Sequence, residues 1–540
     1  MIILYMLIVM AYCYAVIKKS KHSLHMLQQN LYNENNRYLK WVRKNLKLFL
    51  DIDLIAIAIS LIGIFVVFDI KMMTILCLLI IIGIFMGVGY SWDNRVKNSQ
   101  NKKKLVVTAR IKRLITTLTI IHMIPTIWLG FHLNDPYLCW IAITIFAIII
   151  YLNFYVVFVG LIINMPVEKC VYYYYKSKAQ NKLKQMSNLK IIGITGSYGK
   201  TSSKNILSEI LNCKYNALPT PRNLNTYNGL IMTVNNNLDK FTDIFIAEMG
   251  AYVKGEIKGL SKLVKPQYGI LTTIGTAHLE TFGSEQNIID GKFELIESLP
   301  RDGFAILNGD DPKQVNYHLK NPVRVVWIGI NNEDVDVRAT NIKCSNKGTS
   351  FDVIFKGDPK KYSFETRLLG NHNVYNILSG IACGREFGIS MEDLIQAVKT
   401  VQPVEHRLEL KKIGNFYMID DAYNSNPVGS KMALEVLSMM PGQKVVVTPG
   451  MIELGAKEDE YNKKFGEQIS EISNADYVIL IGEKKTRPIK EGLLTKGFDK
   501  ERIIVFNDVR EAYPFINELA HQEETYALFE NDLPDKKKKK

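Results

Sequence analysis

The sequence lacks any pair of cysteines at metal-binding spacing: its seven, Cys13, Cys77, Cys139, Cys170, Cys213, Cys344 and Cys383, are scattered through 540 residues. An odd, unclustered set argues against a disulfide framework and suits reduced thiols, small buried side chains of a cytosolic enzyme. No internal repeat is present, and the one low-complexity stretch is the terminal run Lys536–Lys540, read as a disordered basic tail. No small-residue cleavage site follows the first apolar run, Ile2–Ile17. Lys18, Lys19 and Lys21 come next, so this run reads as a membrane helix that stays and not as a removed signal. The net charge of +14 does not point to nucleic acid. Much of the basic excess sits in short loops between apolar runs and in the terminal lysines, where it would face anionic lipid.

What is abundant is hydrophobic length. Besides Ile2–Ile17, apolar runs lie near 48–69, 72–92, 114–133 and 138–163. Each is long enough to cross about 30 Å of hydrocarbon at roughly 20 residues per helix. Lysine and arginine collect in the 18–47 and 93–113 connections, while those around Lys71 and Asn134–Pro136 are nearly free of positive charge. Five crossings with both basic loops inside put the amino terminus outside and everything after residue 164 in the cytoplasm: a multi-pass protein of the cell membrane. Asp51 and Asp53 fall at one end of the second run, where hydration is cheap, and His122 and Pro125 lie within the fourth. Residues 165–188, with tyrosines 172–175 among lysines, read as a juxtamembrane connector.

Beyond residue 188 the patterning changes to that of an α/β protein. The β-branched run 190–195 (KIIGIT) has the character of a buried parallel strand. It is followed by Gly196-Ser197-Tyr198-Gly199-Lys200-Thr201-Ser202 and a helix-like stretch. Strand, glycine turn, Lys-Thr, helix is the context of a phosphate-binding loop. Backbone N–H groups close round the phosphates, Lys200 reaches the β- and γ-phosphates, and the Thr201 hydroxyl ligates Mg²⁺. The spacing departs from the common pattern, since only two residues separate Gly196 from Gly199.

TGSYGKTSSK resembles the ATP loop of the Mur ligase superfamily, and further segments recur in order: NLNTYNG (223–229), AEMGAYVKGEI (247–257), TTIGTAHLETFGS (272–284), DGKFELIESL (290–299), LNGDDP (307–312), GNHNVYN (370–376), EHRLEL (405–410), DDAYNSNP (420–427) and PGMIELG (449–455). The set covers about 189–510 and resembles the branch of that family that adds D-alanyl-D-alanine to UDP-N-acetylmuramoyl-tripeptide. The resemblance implies an ADP-forming ligase of peptidoglycan precursor synthesis, which phosphorylates a substrate carboxylate with ATP and lets an amine displace the phosphate. It implies two Mg²⁺ ions, with Thr201 and Glu248 on one, His278 helping to hold the second, and Lys292 carried as a carbamate. By the same carry-over Asn308, His372, Asn373 and Asn376 surround the adenine, Arg407 and Asp421 reach the nucleotide from the carboxy-terminal domain, and Asn223, Asn225, Tyr423, Asn424 and Asn426 face the substrates.

The expected architecture is therefore a membrane bundle (1–164), a linker (165–188), a central ATP-binding domain with a mostly parallel sheet (189–402), a carboxy-terminal Rossmann-like domain (403–535) and a basic tail (536–540). Strands are expected near 190–195, 243–248, 268–273, 303–307 and 325–329, with short antiparallel strands in 337–368, then FYMID, KVVVTP, YVILIG, RIIVF and TYALF. Two departures from the family stand out. Membrane helices replace its UDP-sugar-recognition domain, and LFENDLPDKKKKK replaces its terminal Lys-Gly-Ser turn. ATP chemistry transfers on this resemblance, while acceptor and amine donor stay open between a UDP-linked or lipid-linked muropeptide and an amino acid or D-Ala-D-Ala. A poly-γ-glutamate-type synthetase and an inactive scaffold or transporter are the competing readings.

Overall fold

The computed structural model describes residues 1–45, 53–66, 71–98, 105–403, 406–421, 427–451 and 458–531. The chain divides into two compact units, Met1–Tyr174 and Tyr175–Lys540.

The first unit is helical: α1 (Ile2–Gln29), α2 (Arg37–Lys44), α3 (Asp53–Val66), α4 (Lys71–Asn98), α5 (Ala109–Phe131), α6 (Pro136–Tyr151) and α7 (Asn153–Gln185), the last running on into the second unit. Four of these, α1, α4, α5 and α7, are long and apolar enough to cross a membrane. Of the five runs expected to cross, 48–69 is described only over the 14 residues of α3, both of its ends lying outside the described residues, and 138–163 is divided between the 16-residue α6 and α7. The run 138–163 breaks at Leu152, which closes α6. Beside the break, Asn153 is fully buried, donating to Ser20 Oγ (2.9 Å) and accepting from Ser23 Oγ (2.7 Å). Hydropathy alone cannot register such a break.

The basic cluster after residue 17 is helix, not loop, because α1 continues to Gln29. Lys19 is fully buried there and paired with Asp53, itself 2% exposed. Asp53 was expected at a hydrated interface; instead its charge is neutralised inside the bundle, while Asp51 lies outside the described residues. Removing one partner of a buried ion pair strands the other charge at a cost of about 3–5 kcal/mol. Asp53→Asn should accordingly lower the unfolding midpoint of the full chain in detergent sharply, whereas Lys18→Ala, which breaks the half-exposed pair with Asp93, should barely move it. In the expected connector 165–188, α7 continues as helix to Gln185 despite Pro166.

The second unit holds two sheets. The first is built from β1 (Lys190–Thr195), α8 (Lys200–Leu211), β2 (Ala217–Pro219), α9 (Tyr227–Asn236), β3 (Ile244–Glu248), α10 (Glu256–Val264), β4 (Tyr268–Leu271), α11 (Leu279–Phe282), α12 (Glu285–Glu297), β5 (Phe304–Asn308), α13 (Pro312–Val315), β6 (Arg324–Gly329), β7 (Val337–Ser345), β8 (Gly348–Phe355), β9 (Lys361–Thr366), α14 (Asn371–Glu386) and α15 (Met391–Thr400). Its order is β2-β3-β1-β4-β5-β6-β7-β8-β9, parallel as far as β7 and then an antiparallel meander. The second comprises β10 (Glu409–Ile413), β11 (Phe416–Asp421), α16 (Pro427–Ser438), β12 (Gln443–Thr448), α17 (Glu458–Ile472), β13 (Tyr477–Ile481), α18 (Glu483–Thr495), β14 (Ile503–Phe506), α19 (Ala512–Leu519) and β15 (Thr525–Glu530). Its order is β10-β11-β15-β12-β13-β14, parallel except for the β10–β11 hairpin.

Strands β1, β3 and β4 are buried almost throughout, so both sheet faces are covered and their sequences are apolar without alternation. Gly193 in β1 is where α12 closes in: a Cβ there would lie 2.5 Å from Leu295 Cδ1. That close approach brings the buried face of α12, Lys292 included, against the sheet beside the glycine turn.

Candidate active site

Ligands in a parallel sheet gather beyond the carboxyl ends of its central strands, and here β1, β3 and β4 end together. The turn after β1 is folded tightly against β4. Ser197 N donates to Thr273 O (2.9 Å), and Thr272 Oγ1 donates to Tyr198 O (2.6 Å) and Thr195 O (3.2 Å). Gly196 has φ +153°, and a Cβ on it would stand 1.8 Å from Thr272 Oγ1. Overpacking at such a point costs about 3 kcal/mol, close to a hundredfold in an equilibrium constant. Gly196→Ala is expected to weaken ADP binding by about that factor in calorimetry, without unfolding the sheet.

Lys200 opens α8 and curls back, donating to Gly196 O (2.7 Å) and Ser197 O (3.1 Å). Burial lowers its pKa, Glu248 works against that shift, and the Arg407 charge adds to it. Thr201 Oγ1 donates to Glu248 Oε1 (3.2 Å), and Asn225 Nδ2 donates to the same oxygen (3.0 Å). Glu248 ends β3, is 1% exposed, and its other oxygen lies 3.1 Å from Lys204 Nζ without accepting a hydrogen bond. Asn225, expected on the substrate side, is therefore a neighbour of Glu248. Asn223 is exposed on the same loop.

His278 is exposed, in the left-handed region (φ +63°), and its ring packs edge-on to Tyr252 at 4.5 Å. Partial desolvation of the ring lowers its pKa, as do the charges of Lys292 and Lys200, with Glu256 working in the opposite direction. Lys292 is 2% exposed with its Nζ 5.5 Å from the Phe282 ring centroid. Desolvation by burial, followed by the Lys200 charge, lowers its pKa to about 7, with Glu256 and Glu294 working in the opposite direction.

A cavity of about 330 Å³ opens beside the turn. Tyr198, Gly199, Ser202, Asn308, His372 and Asn376 line it. Burial pushes His372 down to about 4, so its ring is neutral at pH 7. Asn373 does not face the cavity; its amide is tied to Leu369 O (2.9 Å). From the carboxy-terminal domain, Met432, Glu435 and Val436 of α16 and Met439 just after it complete the wall. Nothing in the sequence marked these four, because three of them are apolar and read as core. Asp310 braces the rim, accepting from Ile330 N (2.6 Å), Asn332 N (2.6 Å) and Tyr375 OH (2.7 Å).

Asp421 lies at the end of β11, in register with Glu530 of β15. Burial pushes its pKa up to about 6, against the Leu408 N–H, Glu530 and the nearby Arg407 charge. Tyr423, Asn424 and Asn426 lie outside the described residues. Lys204, which the sequence reading passed over, is 1% exposed and belongs to the site through Glu248. Its position one helical turn after Lys200 was the signal available. Among the described residues no cluster of three or more His, Cys, Asp or Glu side chains could hold a metal alone. Thr201 with Glu248 nevertheless fits a magnesium ion that shares its shell with phosphate oxygens, since both groups offer oxygen and one buried carboxylate oxygen has acceptor capacity to spare.

Comparison with known proteins agrees with this geometry. Residues 194–384 match the Mur ligase middle domain, and 406–529 match the Mur ligase, glutamate ligase domain. The UDP-N-acetylmuramoyl-tripeptide–D-alanyl-D-alanine ligase of Bacillus subtilis is 34% identical over 334 residues, 61% of this chain and 70% of the relative. The ligase of the same name from Escherichia coli is 31% identical over 304 residues, 56% of this chain and 66% of the relative. Among solved structures, MurF from Acinetobacter baumannii superposes with a TM-score of 0.57 at 27% identity, over 67% of this chain and 77% of that one. MurF from Thermotoga maritima, solved in complex with ADP, gives 0.56 at 25%, over 67% and 80%. On the extent of these matches, the chain belongs to the Mur ligase family of ATP-dependent, ADP-forming peptide ligases.

Proposed function

We propose that the protein is a membrane-anchored ligase that joins D-alanyl-D-alanine to the peptide of a peptidoglycan precursor, with the ligase domains cytoplasmic and the acceptor carried on a membrane lipid. The observation that carries the ligase reading is the meeting of Lys200, Thr201 and Glu248 at the ends of β1 and β3. The membrane reading is supported by four helices of sufficient length and apolarity, and the choice of amine by the relatives' names.

In this reading ATP lies along the turn, its base in the 330 Å³ cavity against neutral His372, Asn308 and Asn376. Lys200 exchanges its bonds to the turn carbonyls for phosphate oxygens. The substrate carboxylate takes the γ-phosphoryl group and releases ADP. The amine then adds to the acyl carbon and loses a proton, and the bond from that carbon to the phosphate-bearing oxygen breaks, phosphate leaving with the oxygen and the electron pair. Thr201 and Glu248 would hold one Mg²⁺, which when bound offsets charge on the transferring phosphoryl group. At a pKa of about 7, Lys292 has a large neutral fraction at neutral pH. Its lone pair can add to carbon dioxide with loss of one proton, giving a carbamate that with His278 would hold a second ion. Arg407 and Asp421 would close on the nucleotide from the second sheet.

Amine-dependent ADP release by the full chain in detergent, with mass detection of products, tests this directly. UDP-linked and lipid-linked tripeptide acceptors should be compared side by side with D-Ala-D-Ala as donor. A clear preference for the UDP-linked acceptor would defeat the lipid-linked reading, and no ADP release with either would defeat the ligase itself.

A further inference from the structure

Two lysines stand one helical turn apart on α8, and phosphate binding accounts only for Lys200. The Lys204 ammonium is 3.1 Å from Glu248 Oε2 and donates to the carbonyl of Arg222. Arg222 holds a left-handed backbone at φ +49°, unusual for a residue with a side chain. The loop it belongs to is bound to the same glutamate from two other sides: Thr220 Oγ1 accepts from Glu248 N (3.2 Å), and Asn225 Nδ2 donates to Glu248 Oε1 (3.0 Å). Lys204 thus links a strained loop turn to the carboxylate.

The charges around Glu248 have a consequence for metal entry. A free divalent cation approaching it meets a carboxylate already neutralised by Lys204, with the positive charge of Lys200 close by. Among the described residues it belongs to no group of three or more His, Cys, Asp or Glu side chains that could hold a metal ion. Buried in low dielectric, that arrangement opposes a bare dication; nucleotide phosphates would supply the missing negative charge.

We propose that Lys204 is a positioning residue: a resident counter-cation on Glu248 that keeps free divalent metal out until nucleotide phosphates arrive, while its second bond pins the 220–226 loop through the Arg222 carbonyl. Metal then enters as the nucleotide complex. Entry displaces the ammonium from Glu248 and leaves the Arg222 carbonyl as its remaining partner, so the loop bearing Asn223 and Asn225 senses whether the metal site is filled. The inference rests on the reading of Thr201 and Glu248 as a metal pair.

The test uses Mn²⁺ as probe, followed by electron paramagnetic resonance on the full-length chain in detergent, with and without ADP. Wild-type protein should bind Mn²⁺ at least tenfold more weakly without ADP than with it. Lys204→Met should tighten nucleotide-free Mn²⁺ binding at least tenfold and speed hydrogen exchange at amides 220–226. Nucleotide-free Mn²⁺ binding unchanged in Lys204→Met, or unchanged exchange in the loop, overturns the proposal. If that variant does not fold, the wild-type comparison decides: equal Mn²⁺ affinity with and without ADP overturns it. Glu248→Gln separates the two readings, because ADP-dependent Mn²⁺ binding that survives it removes the metal pair and not merely the role of Lys204.

Discussion

Lys292→Ala is expected to lower kcat by about 10³-fold, the size of effect seen when one preorganised charge-stabilising group is removed from a dry site, with partial recovery when acetate or another short carboxylate is added. The expectation follows from packing. α12 closes on β1 at Gly193 and buries Lys292, with its Nζ 5.5 Å from the Phe282 ring centroid. Burial, with the neighbouring Lys200 charge, outweighs the pull of Glu256 and Glu294 and brings its pKa from 10.5 to about 7. As an amine it is reactive; as a carbamate it would be an oxygen donor. Chemical rescue discriminates between these roles, because added carboxylate can replace carbamate oxygens but cannot replace an amine. A variant whose lost activity no carboxylate restores would end the carbamate proposal. Stability gives an independent check in carbon-dioxide-free buffer. Between about pH 7 and 10.5 the unfolded chain binds the Lys292 proton more tightly than the folded one, so stability should rise with pH across that window. Lys292→Met should flatten the slope, read as unfolding midpoint against pH.

Lys200→Met should cost about 10³-fold in kcat/KM for ATP, on the scale of losing a fixed cation from a phosphoryl-transfer site. The Lys200 ammonium is held by two carbonyls of its own turn, at 2.7 and 3.1 Å. It is therefore preorganised over the loop without being committed to a carboxylate, and phosphate oxygens can outbid neutral carbonyls for it. Methionine keeps the length and the burial and removes only the charge. Thermal unfolding of the nucleotide-free variant should be unchanged or slightly later, since a desolvated charge has gone. An equal loss of stability and activity would mean that Lys200 holds the turn together and does not grip the nucleotide.

How much of this was legible in the sequence depended on how local the cause was. The glycine turn between β1 and α8 is written in seven consecutive residues. The antiparallel segment 337–366 and the parallel strands of both sheets announce themselves by period and β-branching. Short edge strands were missed: β2 has three residues and ends at Pro219, and β10 (ELKKI) carries charges on a sheet edge. The division of 138–163 into α6 and α7 was hidden because its cause is tertiary, a buried Asn153 bonded to α1. In the site, the sequence does not show which side chains meet: Asn225 donates to Glu248, Asn373 donates to the Leu369 carbonyl, and Lys204, one helical turn beyond Lys200, pairs with Glu248.

The course of α7 bears on how the protein ages in the cell. Proteases need several residues of extended chain, and loop tips and termini are where they usually cut. From Asn153 to Gln185 the backbone offers them none. Near its carboxyl end α7 is further fastened to α9, where Asn235 Nδ2 donates to Tyr175 O (3.0 Å) and its carbonyl accepts from Lys182 (3.4 Å). The first turn outside the helix is Met186–Asn188, directly before the strand that carries the nucleotide loop. Between residues 153 and 190, a nick that separated the ligase domains from the helices would fall in that turn, so limited proteolysis there should release the ligase domains with an amino terminus near residue 187.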